Sequence, residues 1–135
     1  MVTGKIQMER SNAHKERRKS SRVLLDLPLE YRVMNAPYAQ GGIVVIASEV
    51  GLLINSVKSI PVGTKLNIVV LFPEGFELTN FEVLAEIVWK DVYLEEDWQG
   101  YRYGLNFIQI LEEDRLKLKQ LLDGRFQSEE ISQNL

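Results

Sequence analysis

The sequence contains no cysteine in its 135 residues. Without thiols the chain has no disulfide framework, no cysteine nucleophile and no thiolate metal ligands. The absence also agrees with a reducing compartment, because disulfides form and persist in oxidising ones. A chain of this length buries enough apolar surface for one domain. We therefore expect a single domain that folds without covalent or metal cross-links.

Long apolar runs are missing as well. No apolar stretch approaches the roughly 20 residues that a membrane-spanning helix requires. The first residues, Met1 to Lys5, lack the apolar run of a secretory signal. We expect a soluble, cytoplasmic protein that does not insert into a membrane.

Residues that commonly carry out catalysis are scarce. The one histidine, His14, lies in a polar N-terminal segment, where nothing would hold it in a productive geometry. The sequence has no Ser/His/Asp set and no glycine loop of the Walker type. The acidic run Glu95 to Asp97 is typical of a solvated turn, and a metal ion there would need ligands from elsewhere. We predict a protein that is not an enzyme and that uses no cofactor or metal.

Charge is distributed unevenly along the chain. Residues 1–22 hold seven basic and two acidic side chains, a net charge of +5. The remaining residues hold nine basic and seventeen acidic side chains, a net charge of −8. This asymmetry predicts that the N-terminal segment meets an anion, with a solvated basic tail as the alternative. The acidic body would repel a long phosphate backbone, so we do not expect a long nucleic acid as partner.

The hydrophobic pattern predicts short strands. Residues 1–16 are polar and aperiodic, which predicts a flexible arm. Apolar and polar residues alternate from Val23 to Val33, as in a half-buried strand, and Pro28 places that strand at an edge or beside a bulge. Further strands are predicted at residues 42–48, 51–57, 66–72, 81–90 and 101–110, with loops at 34–41 and 91–100. Such a series is typical of an antiparallel barrel or sandwich.

The C-terminal part of the sequence predicts a helix. Three acidic residues, Glu112 to Asp114, stand in a first turn where the helix dipole favours negative charge. Leu111, Leu118 and Leu122 recur at helical spacing, and Gly124 is a candidate C-cap glycine. We expect this helix to pack across the sheet.

Two short motifs carry the functional prediction. Arg18 and Arg22 lie four positions apart just before the first predicted strand. An arginine side chain stacks on a base and also forks onto a guanine edge or a phosphate, so two of them suit a compact anionic nucleotide. Ser48 and Gly51, at the end of the second predicted strand, would add a hydroxyl and a turn glycine.

The spacing of these motifs resembles the PilZ family, receptor modules for cyclic di-GMP. The family signatures are R-x-x-x-R, matched by Arg18 and Arg22, and [D/N]-x-S-x-x-G. The second is matched by Ser48 and Gly51, but Ile46 stands at its acid or amide position. The resemblance covers residues 16–123. Three further segments support it: Pro61-Val62-Gly63, Val88-Trp89 and Tyr103-Gly104-Leu105-Asn106-Phe107.

The resemblance implies a mainly β fold, a small antiparallel six- or seven-stranded barrel of the split-barrel type with a C-terminal helix. It implies an arm at residues 1–16, a domain at 17–126 and a disordered tail at 127–135. The implied function is a cyclic di-GMP receptor or adaptor whose arginine arm closes over the nucleotide and alters a surface shown to an effector protein. Control of bacterial motility, surface attachment or exopolysaccharide output would follow.

The resemblance also implies the ligand contacts. They are Arg17, Arg18, Arg22, Ser48 and Gly51. In the family, the acid or amide of the second signature takes up the guanine N1–H and exocyclic amine. Ile46 accepts no hydrogen bond, which weakens binding unless a neighbour such as Asn55 supplies an acceptor.

Several of these residues also have a purely structural interpretation. The arm arginines suit a solvated tail, the Ser48 hydroxyl suits a cap for its own turn, and Gly51 is more typical of a backbone requirement. Trp89 and Tyr101 are interpreted as core or barrel-rim aromatics. Arg102, on the last predicted strand, is interpreted as one half of a surface salt bridge in preference to an extra phosphate contact.

Two alternative functions follow from the same residues. Ile46 and Val50 favour an interaction module that kept the barrel and lost or weakened nucleotide binding. Single-stranded nucleic-acid binding requires aromatics interleaved with basic residues, whereas the strands carry Glu82 and Glu86. A monomer and a homodimer are both consistent with the sequence.

Overall fold

The computed structural model describes residues 22–124. The predicted arm at residues 1–16, the predicted contacts Arg17 and Arg18, and the predicted tail at residues 127–135 lie outside the described residues.

The described part of the chain forms a closed barrel with one helix. Its elements are β1 (Val23–Val33), β2 (Gln40–Ala47), β3 (Gly51–Ser56), β4 (Lys65–Glu74), β5 (Glu77–Glu95), β6 (Trp98–Gln109) and α1 (Glu112–Leu122). Neighbouring strands are antiparallel in the order β1-β2-β3-β6-β5-β4, and β1 pairs with β4 to close the ring. The predicted mainly β barrel is confirmed with six strands, and the ring closure excludes the sandwich.

An irregularity in β1 accommodates Pro28. The register between β1 and β2 shifts between Leu24 and Leu27, and the pairing of β1 with β4 begins only at Leu29. Pro28 therefore lies between a bulge and the start of the second ladder, where its missing N–H removes the least pairing.

The predicted loop at residues 91–100 is wrong, because this segment is a β-hairpin. β5 continues to Glu95 and β6 begins at Trp98. The rings of Tyr93 and Trp98 pack with centroids 5.6 Å apart, and Val92 stands opposite Tyr101. Aromatic and β-branched cross-strand pairs stabilise a sheet, and they outweigh the low strand propensity of the acidic residues between them.

Two buried tyrosines make hydrogen bonds inside the barrel. The Tyr31 hydroxyl lies 2.8 Å from the Ser56 hydroxyl, and the Tyr103 hydroxyl accepts the Ile60 N–H at 2.8 Å and donates to the Lys58 carbonyl. Burial raises the pKa of both tyrosines. The barrel interior is otherwise filled by aliphatic and aromatic side chains from all six strands.

Helix α1 packs against β5. Leu118 and Leu121 are buried in the core, and the Asp114 carboxylate accepts the Glu82 N–H at 3.1 Å. Gly124 follows with φ of 78° and donates its N–H to the Leu121 carbonyl, which confirms the predicted C-cap glycine. Within residues 22–124, no helix combines the length and the apolar character that crossing a membrane requires.

Candidate functional site

A cavity of about 260 Å³ opens on the outer surface of the barrel, beside the turn that joins β2 to β3. It brings together three of the predicted ligand contacts, Arg22, Ser48 and Gly51. Its lining residues are Arg22, Ile46, Ser48, Val50, Gly51, Leu52, Leu53, Val88, Trp89, Gly104, Leu105 and Asn106.

The Ser48 side chain is held by its own turn. Its hydroxyl accepts the Val50 N–H at 3.2 Å and lies 3.4 Å from the Gly51 carbonyl, to which the Ser48 N–H also donates at 3.0 Å. The side chain is buried. These bonds give the turn one shape, so Ser48 positions the wall of the cavity.

Gly51 is required by the close approach of β3 to β6. A β-carbon at residue 51 would come within 2.1 Å of the Leu105 carbonyl oxygen. Because that oxygen belongs to the backbone, it does not move aside as a flexible side chain does. The glycine therefore allows the strand contact that forms the floor of the cavity.

Arg22 stands at the mouth of the cavity, immediately before β1. The side chain is exposed, and its guanidinium makes no hydrogen bond or ion pair with any other residue of 22–124. A guanidinium offers five N–H donors and a permanent positive charge. Arg22 is therefore available to bind an anion or the acceptor edge of a base in this cavity.

Trp89 forms the wall opposite the β2–β3 turn, a role that the sequence analysis missed. The register between β5 and β6 shifts between Ile87 and Trp89, and the bulge leaves both Val88 and Trp89 partly exposed, at 42% and 44%. The indole lies over Gly104, where a β-carbon would come within 2.2 Å of the indole Nε1. The two successive large apolar residues, which break the alternation of β5, were the available signal.

The sequence of the barrel and of this cavity matches a known family. A family model described as the PilZ domain matches residues 16–124. The chain belongs to the PilZ domain family. The match covers every described strand, the helix and the two arginines of the first signature, so the resemblance stated from the motifs is confirmed.

Several solved structures share the fold. The structure of Bacillus subtilis inhibitor of motility (MotI/DgrA) matches with a TM-score of 0.65 at 17% identity, over 83% of this chain and 52% of that one. The PilZ domain with cyclic di-GMP of YcgR from Escherichia coli matches with 0.61 at 11% identity, over 88% and 99%. MrkH of K. pneumonia in its apo state matches with 0.62 at 15% identity, over 93% and 56%.

These structural matches show that the chain has the fold of a PilZ domain. The chain spans about half the length of the Bacillus subtilis structure, at 52%. A sequence comparison with curated proteins finds no match.

In this PilZ domain, the departure from the second signature lies inside the cavity. A register shift between Val44 and Ile46 turns Val45 and Ile46 together toward the outside of β2, and Ile46 lines the cavity next to its cross-strand neighbour Leu53. The aliphatic side chain of Ile46 accepts no hydrogen bond. The cavity wall is therefore apolar where the family motif has an acid or an amide.

Asn55 and Arg102 belong to a different part of this PilZ domain. The Arg102 Nε donates to the Asn55 Oδ1 at 3.0 Å, and the guanidinium lies 3.9 Å from the centroid of the Tyr93 ring. Neither residue lines the cavity that Arg22 lines. Within residues 22–124, Arg102 thus has an amide and a ring as partners, and the predicted salt bridge is wrong. Asn55, the neighbour considered as a substitute for the missing acid, lies outside the cavity, and its Oδ1 accepts a hydrogen bond from Arg102.

The described part of the PilZ domain offers no metal site. Within residues 22–124, no group of three or more histidine, aspartate or glutamate side chains is placed to hold a metal ion.

Proposed function

We propose that this PilZ domain is a receptor for cyclic di-GMP, which binds in the cavity between the β2–β3 turn and Trp89. The observation that carries the proposal is the convergence of Arg22, just before β1, with Ser48 and Gly51 of the distant β2–β3 turn on one cavity that has an exposed indole in its wall. Arg18 and Arg17, just ahead of Arg22 in the sequence, would close over the nucleotide from the same side.

The chemistry of the cavity suits a guanine nucleotide. A purine stacks on an exposed indole, and one such contact is worth about 1–3 kcal/mol. The Arg22 guanidinium has the geometry to fork onto O6 and N7 of guanine or onto a phosphate. The cyclic dinucleotide carries two phosphates, which complement the +5 charge of residues 1–22.

The apolar Ile46 sets an expected limit on the affinity. A guanine donor left without an acceptor in a buried position costs about 1–3 kcal/mol. That loss corresponds to roughly five- to 150-fold in the dissociation constant. The charged arginine contacts are unaffected, so the proposal predicts weakened binding.

The solved relatives support a receptor or adaptor role. One is a PilZ domain solved with cyclic di-GMP, and another is named an inhibitor of motility. We propose by analogy that ligand binding orders the arginine arm and changes the surface offered to an effector protein in the bacterial cytoplasm. Motility, surface attachment and exopolysaccharide output are the processes such an adaptor would serve.

Isothermal titration calorimetry with cyclic di-GMP tests the proposal. The wild type should bind, and Arg18→Ala and Arg22→Ala should lose nearly all binding. Arg32→Ala is the matched control, because Arg32 is also an exposed arginine next to β1's end but donates to the Pro37 carbonyl and does not line the cavity. A wild type that gives no binding heat at high micromolar ligand would refute the receptor role.

A protein-interaction module without nucleotide binding is the second candidate. It is favoured by the apolar lining of the cavity, which includes the exposed side chains of Val50 and Val88 together with Ile46. Exposed apolar groups around a concave surface are typical of protein contacts. Pull-downs with the purified chain, with and without cyclic di-GMP, distinguish the two: an unchanged set of captured proteins favours this module, and a nucleotide-dependent set favours the receptor.

A further inference from the structure

Asn106 lies on the cavity wall that faces away from the barrel interior. It belongs to β6, where it stands opposite Gly51 of β3 and opposite Glu86 of β5. Its inward-pointing neighbours Leu105 and Phe107 contribute to the core, so the Asn106 side chain projects outward. The residue is exposed, and its side-chain amide makes no hydrogen bond with the other residues of 22–124.

Asn106 supplies the free side-chain hydrogen-bond acceptor that the other lining residues lack. Four lining residues have polar side-chain groups: Arg22, Ser48, Trp89 and Asn106. A guanidinium and an indole N–H only donate. The Ser48 hydroxyl is bonded within its own turn. Among the side chains that line the cavity, the Asn106 Oδ1 is thus the acceptor free to meet a base.

We propose that Asn106 reads the Watson–Crick edge of the bound base in place of the missing acid or amide at residue 46. This inference rests on the proposed function, since it concerns the same cavity and ligand. The Oδ1 would accept the guanine N1–H while the Nδ2 donates to O6, a two-bond contact of the kind that specifies a base. Because Gly51 has no side chain, the backbone of β3 lies close to β6 beside Asn106, where a β-carbon at residue 51 would come within 3.6 Å of the Asn106 Cα.

An amide at this position has a consequence that a carboxylate would not have. When the amide is turned over, its Oδ1 accepts from the adenine N6–H and its Nδ2 donates to adenine N1. A carboxylate only accepts, so it pairs with guanine and repels the adenine N1 acceptor. Asn106 therefore makes the ligand class cyclic purine dinucleotides, with a preference for guanine that depends mainly on the arginines.

The test compares cyclic di-GMP with cyclic di-AMP by titration of the full chain. We expect Asn106→Asp to raise the affinity ratio of cyclic di-GMP to cyclic di-AMP by about tenfold. Asn106→Ala should weaken both ligands by a similar factor, at least about fivefold. Asn55→Ala is the matched control, because Asn55 lies on the same outer face, bonded to Arg102 and outside the cavity.

One further variant separates the outcomes. Glu86→Gln removes the carboxylate opposite Asn106. It should leave the affinity ratio of cyclic di-GMP to cyclic di-AMP within about twofold of wild type. A loss of guanine preference in this variant alone would assign base reading to Glu86 and overturn the inference. If the wild type binds cyclic di-GMP and both Asn106 variants keep its ratio and affinities, the inference fails and the receptor role stands. If the wild type binds neither dinucleotide, both fail together. Circular dichroism melting of each variant identifies any loss of folding.

Discussion

The Trp89 indole covers Gly104 of the neighbouring strand so closely that a β-carbon at residue 104 would come within 2.2 Å of the indole Nε1. This contact fixes the indole as the wall of the cavity while leaving Trp89 44% exposed. An aromatic ring that packs on the bare backbone of a cross-strand glycine is stabilised by the sheet itself. The site therefore depends on a glycine that has no side chain with which to contact a ligand.

Gly104→Ala should displace Trp89 from the cavity wall. The added methyl group meets the indole at less than contact distance, and overpacking of this kind costs about 1–3 kcal/mol of unfolding free energy. Urea unfolding should show a lower free energy of unfolding, and titration with cyclic di-GMP should show weaker binding. Gly41→Ala is the control, because no atom lies within 4 Å of a β-carbon at that position; equal stability of the two variants would contradict the packing argument.

Trp89→Ala should weaken cyclic di-GMP binding by about five- to 150-fold, the range for loss of one base-stacking contact. Trp98→Ala is the natural control, because Trp98 packs on Tyr93 in the hairpin and does not line the cavity. The chain has two tryptophans, so the fluorescence of each variant comes from the tryptophan that remains. Quenching on ligand addition should persist in Trp98→Ala and disappear in Trp89→Ala; the reverse pattern would place the ligand at the hairpin.

Ile46→Asp should tighten cyclic di-GMP binding, by about tenfold. The new carboxylate accepts the second guanine donor and restores the acid of the family motif. Ile43→Asp carries the same change on the same strand, but Ile43 stands opposite Asn55 and borders a different cavity, so its affinity should not rise. Unchanged binding in Ile46→Asp, measured by calorimetry, would mean that the base does not approach β2.

The barrel should lose stability at alkaline pH. Burial raises the pKa of Tyr31 above its ordinary value of 10.0, so the folded state keeps this proton longer than the unfolded chain does. Stability from Tyr31 is therefore full below pH 10.0 and declines as the pH rises through the folded pKa. The fall in melting temperature between about pH 9 and pH 11 should be smaller in Tyr31→Phe than in wild type. Tyr38→Phe, at an exposed tyrosine, should keep the wild-type fall.

Local patterns predicted most of the strands. The alternation from Val23 to Val33 gave β1 with its observed bounds, and the turn glycine Gly51 marked the start of β3. The acidic composition of residues 91–100 predicts a loop, whereas the structure has a hairpin there. Its strand structure depends on contacts between side chains on two strands, such as Tyr93 with Trp98, which composition does not reveal.

Local residue patterns predict the alternating core strands and the two motifs, since a half-buried strand and a tight turn each impose a pattern on a short segment. These patterns leave a barrel and a sandwich both open, and the pairing of β1 with β4 shows the barrel. Which outward side chains share a cavity depends on the folded barrel. Two bulges turn Ile46 and Trp89 toward it, and the pairing of β3 with β6 brings Asn106 beside Gly51. The physical reason is that a register shift of one residue reverses the face of a side chain, and the register is set by strands that lie far apart in the chain.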